Sequence, residues 1–223
     1  MTRSAQPIRI LSVNVGEPRT FLWKDREVVT GIFKAPAEGP VMLRRLNLDG
    51  DRQADLENHG GWAKAAYAYP SEHYEFWRKE LPGMELSWGN FGENFTTQGL
   101  KEEETHLGDQ FRIGEAVVMA TQPRIPCYKL GLRIGRDDIV KRFLESHRSG
   151  IYFSVLQEGL VNAGDSMERI QEDEDHITVK DINRAFVNCG DHISLVRRML
   201  RHSVLPAGLR DHFLAQISLI ERA

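Results

Sequence analysis

Cysteine is nearly missing from this sequence: two in 223 residues, Cys127 and Cys189. So sparse a set makes a poor disulfide framework for a chain of this length and fits a reducing, cytoplasmic setting. Long apolar runs are missing too. The opening MTRSAQPIRILSVNVG has no extended hydrophobic core and no small-residue cleavage site, so neither a signal peptide nor a membrane span is expected there. An excess of one charge sign is also absent. The formal net charge is −3, without the basic stripe typical of nucleic-acid binders, and no nucleic-acid or membrane partner is expected. A local positive pocket for one anionic ligand remains compatible with that balance. Phosphate loop, dinucleotide fingerprint, paired CxxC, HExxH and nucleophile elbow are all lacking. Scattered Ser, His and Asp residues leave only a triad open, and no internal repeat is visible.

What is present is an ordinary globular composition, 41% hydrophobic and 27% charged, enough for one large domain or a medium one with an appendage. Through residue 170 the texture is strand and turn. LSVNV alternates, with Leu11, Val13 and Val15 expected on one face; EVVTGIFKAP and VMLRRLNLDGDRQ give further strands. HLGDQFRIGEAVVMATQP holds two strands around Gly114-Glu115. SGIYFSVLQEGLVNAGDSMERI reads as a hairpin and a last strand, turning at Glu158-Gly159 and Gly164-Asp165. Two helices interrupt: PSEHYEFWRKEL, with Ser71 as expected N-cap, and DDIVKRFLESHRS. A closed or folded-over β-barrel with inserted helices, over residues 1–170, is the expected fold. The acidic connector QEDEDH then leads into residues 171–223, where three short amphipathic helices form a small bundle, the first opened by a Thr178/Asp181 capping box.

Three segments carry candidate chemistry. QPRIPCYKLG sets Cys127 behind Pro123 and Pro126, with Arg124, Lys129 and Arg133 close in sequence. Proline stiffens the segment, and nearby cations favour thiolate, the form that attacks electrophiles and binds metal. A buried structural cysteine is the competing reading, and Cys189 is given that role. The second segment holds Asp51, Arg52, Asp55, His59, Gly60, Gly61 and Lys64. Two glycines let the main chain approach a ligand, although a solvated turn would use them equally. The third, GNFGENFTT, ends in Asn94, whose amide can both donate and accept.

Taken in order, His-Gly-Gly with a following Lys, then FGEN, then GDxFxIGxA, then QPRxPCxKL strongly resemble the MOSC domain, the C-terminal domain of molybdenum cofactor sulfurases. A MOSC barrel followed by three short helices is similar to the bacterial subfamily linked to N-hydroxylaminopurine resistance. The resemblance implies a β-barrel that holds the molybdenum cofactor (Mo-molybdopterin), with Cys127 as metal ligand. It further implies His59, Gly60, Gly61, Lys64, Asn94 and Arg124 as cofactor contacts. Between the glycines and Lys64, where the subfamily often has Pro or Val followed by Asp, this sequence has Trp62-Ala63. Ser154 stands where relatives often carry Arg.

The function so implied is an enzyme, a molybdenum-dependent oxidoreductase that reduces and detoxifies N-hydroxylated compounds: N-hydroxylaminopurines, hydroxylamines and amidoximes. Cys127, His59 and Asp55 are the catalytic candidates, the last two as proton donors. No flavin, haem or iron–sulfur motif is present, so electrons are expected from a separate flavin or iron–sulfur protein; a homodimer is a candidate assembly. A sulfur carrier or transferase with a Cys127 persulfide is the alternative, and a zinc site of Cys127 and His59 a weaker third.

Overall fold

Period-two alternation builds the strands here, and bulges decide which side chains turn inward. The computed structural model describes residues 7–54 and 60–222. The first half contributes β1 (Ile8–Val15), β2 (Arg19–Trp23), β3 (Arg26–Thr30), β4 (Ala35–Pro36), β5 (Val41–Leu43), β6 (Ala66–Pro70) and β7 (Phe95–Gln98). The second half adds β8 (Gln110–Ile113), β9 (Ala116–Pro123), β10 (Ile151–Gln157), β11 (Gly159–Val161) and β12 (Ser166–Gln171). Seven of these close into a barrel in the order β12-β8-β9-β10-β6-β7-β1, with β1 returning to β12. The closure is antiparallel, Ile8 opposite Met167. Only β6 and β7 run parallel, Ala68 beside Phe95, and the helix α1 (Ser71–Glu80) makes their crossover.

β1 corrects one expectation. Its pairing with β7 shifts register between Ile10 and Ser12, so Ile10 and Val13 are buried while Leu11 faces out. A bulge breaks strict alternation, and the expected Leu11–Val13–Val15 face does not form. The GLV segment also departs from expectation: β11 pairs with β5 rather than folding back on β10, while β10 lies between β9 and β6. The β2–β3 hairpin turns through Lys24 and Asp25, both at positive φ.

The helices are α1, α2 (Tyr128–Ile134), α3 (Ile139–Ser146), α4 (Val179–Val187), α5 (Ile193–Met199) and α6 (Ala207–Ile220). Ser71 is not the cap of α1: Pro70 holds that place and no side chain caps the end. Apolar side chains sort into three clusters. One fills the barrel. A second, aromatic one joins α1, α3 and the loop at Phe91; in it Trp77 stacks on Phe143 at 5.9 Å and donates its indole N–H to Tyr69 at 2.7 Å. The third lies under α4–α6 and takes in Leu107 from the barrel segment. Backbone bonds continue that junction, from the Leu107 N–H to the Ile177 carbonyl at 2.8 Å and from the Val179 N–H to the Thr105 carbonyl at 2.9 Å.

Candidate functional site

Glu93 shapes the first wall of the site. Wholly buried, it accepts from the Gly89 N–H at 2.9 Å, the Phe91 N–H at 3.1 Å, the Thr96 hydroxyl at 2.9 Å and the Tyr74 hydroxyl. Burial raises the pKa of Glu93 despite these donors. Gly92 lies between at φ +71, and a Cβ there would stand 2.8 Å from Ile32 Cγ1. Only glycine meets both demands. Asn94 follows. Its side-chain carbonyl accepts from the Tyr67 N–H at 3.1 Å, and its amide N–H groups donate to Asp51 Oδ2 at 2.8 Å and the Asn14 carbonyl at 3.3 Å. Asn94 lines the site, but its amide is committed within the fold: it holds Asp51 rather than offering an open edge.

Asp51 is almost fully buried, accepts from the Gly16 N–H at 3.0 Å and pairs with Lys34. Burial pulls the Lys34 pKa down, and Asp51 opposes it. Arg124, also buried, donates to the Phe91 carbonyl and lies over Tyr67, 5.0 Å from the ring centre. Tyr67 in turn donates to the Ser149 carbonyl at 2.7 Å. Burial keeps Tyr67 and Tyr152 protonated, raising the pKa of each.

These groups surround a pocket whose wall includes Lys34, Arg52, Lys64, Arg124 and Lys129, together with Tyr67, Tyr152 and Cys127. Five cations and a thiol share it, and among the described residues no carboxylate lines it. Cys127 is half-buried, in no disulfide, and sits where β9 ends and α2 begins, as the residue before that helix. The helix was not expected from the sequence. Arg133, one turn on, leaves the site: its guanidinium reaches Asn90 and covers Phe33 at 5.0 Å.

A second, roomier pocket shares Cys127, Lys64, Ile125 and Tyr152 with the first. Gly60, Gly61, Trp62 and Tyr128 line it, as do Phe186, Pro206, Leu209 and His212 from the helical tail. Gly61 has φ +90, with open space where a Cβ would go. The expected candidates thus divide. Lys64, Asn94, Arg124 and Cys127 meet in the first pocket, and Gly60 and Gly61 border the second. Asp55 and His59 lie outside the described residues. Ser154 is buried on β10, its hydroxyl 3.4 Å from the Met119 carbonyl. Lys34, Tyr67 and Tyr152 are pocket residues that no local pattern marks.

The model of the MOSC domain matches residues 55–168. The chain belongs to the MOSC family. It is 42% identical over 205 residues to an uncharacterised protein, YflK, of Bacillus subtilis, covering 92% of each chain. It is 39% identical over 154 residues to the protein YiiM of Escherichia coli, 68% of each. A protein of Gibberella moniliformis named "Reductase" is 30% identical over 161 residues, 71% of this chain and 28% of that longer one. Among solved structures, YiiM of Geobacillus stearothermophilus superposes with a TM-score of 0.79 at 32% identity, covering 94% of this chain and 98% of that one. The MOSC barrel and the helical tail both fall within that coverage. Among the described residues no helix is long and apolar enough to cross a membrane.

Proposed function

We propose that this protein is a molybdenum-cofactor-dependent reductase of N-hydroxylated compounds. The observation that carries the reading is the first pocket: five cationic side chains share its lining with one half-buried thiol, in a chain of net negative charge. A pyranopterin dithiolene bearing a phosphate is a polyanion, and a Cys127 thiolate adds another negative charge. Arg124 and Lys129 are buried, so their attraction for an anion is weakly screened by solvent. The donor set fits the group: Cys127 would hold the metal, and Lys34, Arg52, Lys64, Arg124 and Lys129 would offset the phosphate and dithiolene. The fungal relative named a reductase supports the reaction class.

Reduction of R–NH–OH takes two electrons and two protons and gives R–NH₂ and water. The cofactor, when bound, supplies the two-electron chemistry. The chain's own residues bind and orient. Tyr67 and Tyr152, kept protonated by burial, present neutral rings beside the thiol, and the stiff β9–α2 junction fixes Cys127 against both pockets. His59 and Asp55 are the proposed proton donors to the leaving oxygen. Electrons are proposed to come from a separate flavin or iron–sulfur protein, in a cytoplasmic setting.

Protein made in a host that synthesises the cofactor tests this. Elemental analysis is expected to show one molybdenum per chain, and Cys127→Ser to lose that metal and all reduction of 6-N-hydroxylaminopurine while keeping wild-type circular dichroism. Cys189→Ser keeps its molybdenum. Wild-type turnover in Cys127→Ser sinks the assignment, and sulfane sulfur without metal gives the site to a Cys127 persulfide carrier.

A further inference from the structure

The second pocket has two features that the cationic site does not need. Trp62 and Tyr128 are large aromatics left 50% and 55% exposed, and both border the second pocket, which also contains Cys127. A single exposed aromatic is ordinary; two on the wall of a thiol-bearing cleft are not. Trp62 opens a short 3₁₀ turn, Trp62–Lys64. That turn is anchored by the Lys64 N–H donating to the Gly61 carbonyl at 3.0 Å and by the Ala63 carbonyl, which accepts from Thr121 at 2.7 Å. The indole is therefore carried on fixed backbone.

The helical tail adds aromatic rings to the same lining. Phe186 of α4 and His212 of α6 stack at 4.3 Å and 21°, and burial lowers the His212 pKa, which favours the uncharged imidazole at neutral pH. A cleft lined by flat uncharged rings from both barrel and tail, open to solvent and sharing residues with the cationic pocket, suits a flat uncharged heterocycle. It offers little to a small aliphatic hydroxylamine.

We infer that Trp62, with Tyr128 and the Phe186–His212 pair in the same lining, forms a stacking subsite for the planar heteroaromatic ring of the substrate, and that Trp62 sets the preference for such rings. The inference rests on the reductase reading for what is reduced, but not for what is bound. The helical tail is then part of the substrate site rather than only a cover for the barrel.

Two measurements separate the claims. Adenine carries the purine ring without the N–O bond, so its binding to purified protein, read by titration calorimetry, needs no turnover. Trp62→Ala is expected to weaken adenine about tenfold, in the range found for base–aromatic stacking, and Trp62→Phe to restore most of it. In steady-state kinetics, Trp62→Ala is expected to raise KM for 6-N-hydroxylaminopurine with little change in kcat. It should also lower the preference, in kcat/KM, for that substrate over hydroxylamine about tenfold. Adenine that fails to bind wild type, or binds Trp62→Ala equally well, overturns the subsite. So does an equal fall in kcat/KM for both substrates. If wild type reduces neither compound yet binds adenine through Trp62, the subsite stands and the reductase reading fails.

Discussion

Glu102 shows how one buried carboxyl ties the barrel's surface helix to its loops. It accepts from His73 Nε2 at 2.8 Å and from the Gly150 N–H at 2.8 Å, and is 2% exposed. Burial pushes its pKa up, but the hydrogen bond and charge of His73 outweigh that and hold it below the usual 4.5. A depressed carboxyl adds stability at pH above its unfolded value and loses it as pH falls through the folded one. Glu102→Gln is therefore expected to lower stability near pH 6, with the gap to wild type closing as pH drops below about 4. Denaturant melts across pH check this, and a constant gap would show that ionisation plays no part. Glu93 differs: burial raises its pKa, while its four donors fix the FGEN loop beside the site. From sequence alone Asn94 is the informative member of that motif, because an amide near glycines suggests recognition. Whether its partners were protein or ligand depended on Asp51, Asn14 and Tyr67, all remote in sequence.

Elements were legible where their causes are local. Thr178 accepts from the Asp181 N–H at 3.0 Å while Asp181 accepts in return from the Thr178 N–H at 3.3 Å, and the two residues alone suffice to announce the start of α4. Thr178→Ala is expected to cost about 1 kcal/mol, read as a lower urea midpoint at unchanged slope. A normal midpoint would mean that the packed Val179 and Ile182, not the cap, hold the helix end. β6 was illegible for the opposite reason. All five residues of AYAYP are buried, so the strand has no polar face and no alternation to read. The bulge in β1 hid its true inward face, and α2 is too short for a periodic signal. Pocket membership was the least legible: Lys34 and Cys127 are distant in sequence, and only barrel closure brings them to one wall.

At the scale of the whole molecule, the tail and the barrel share material. Leu107 belongs to the barrel segment yet sits in the tail's core with Phe213 and Met199, and Phe186, Leu209 and His212 border the cleft at Cys127. Truncation after residue 170 removes that core except for Leu107; it is expected to uncover Leu107 and the barrel residues that Val179 packs on, and to produce a sparingly soluble, associating barrel, read by size-exclusion chromatography. A monomeric truncation as stable as the full chain would make the tail an independent module. The barrel's closure has a temporal consequence. β1 near the N-terminus completes the cylinder only by meeting β12, with Ile8 opposite Met167. During synthesis, an elongating chain exposes one unsatisfied edge of β1 until residues near 167 leave the ribosome. Loop-closure entropy then makes that seam among the slowest contacts to form. The interval between those two moments is when the nascent chain is most open to pairing with a neighbour.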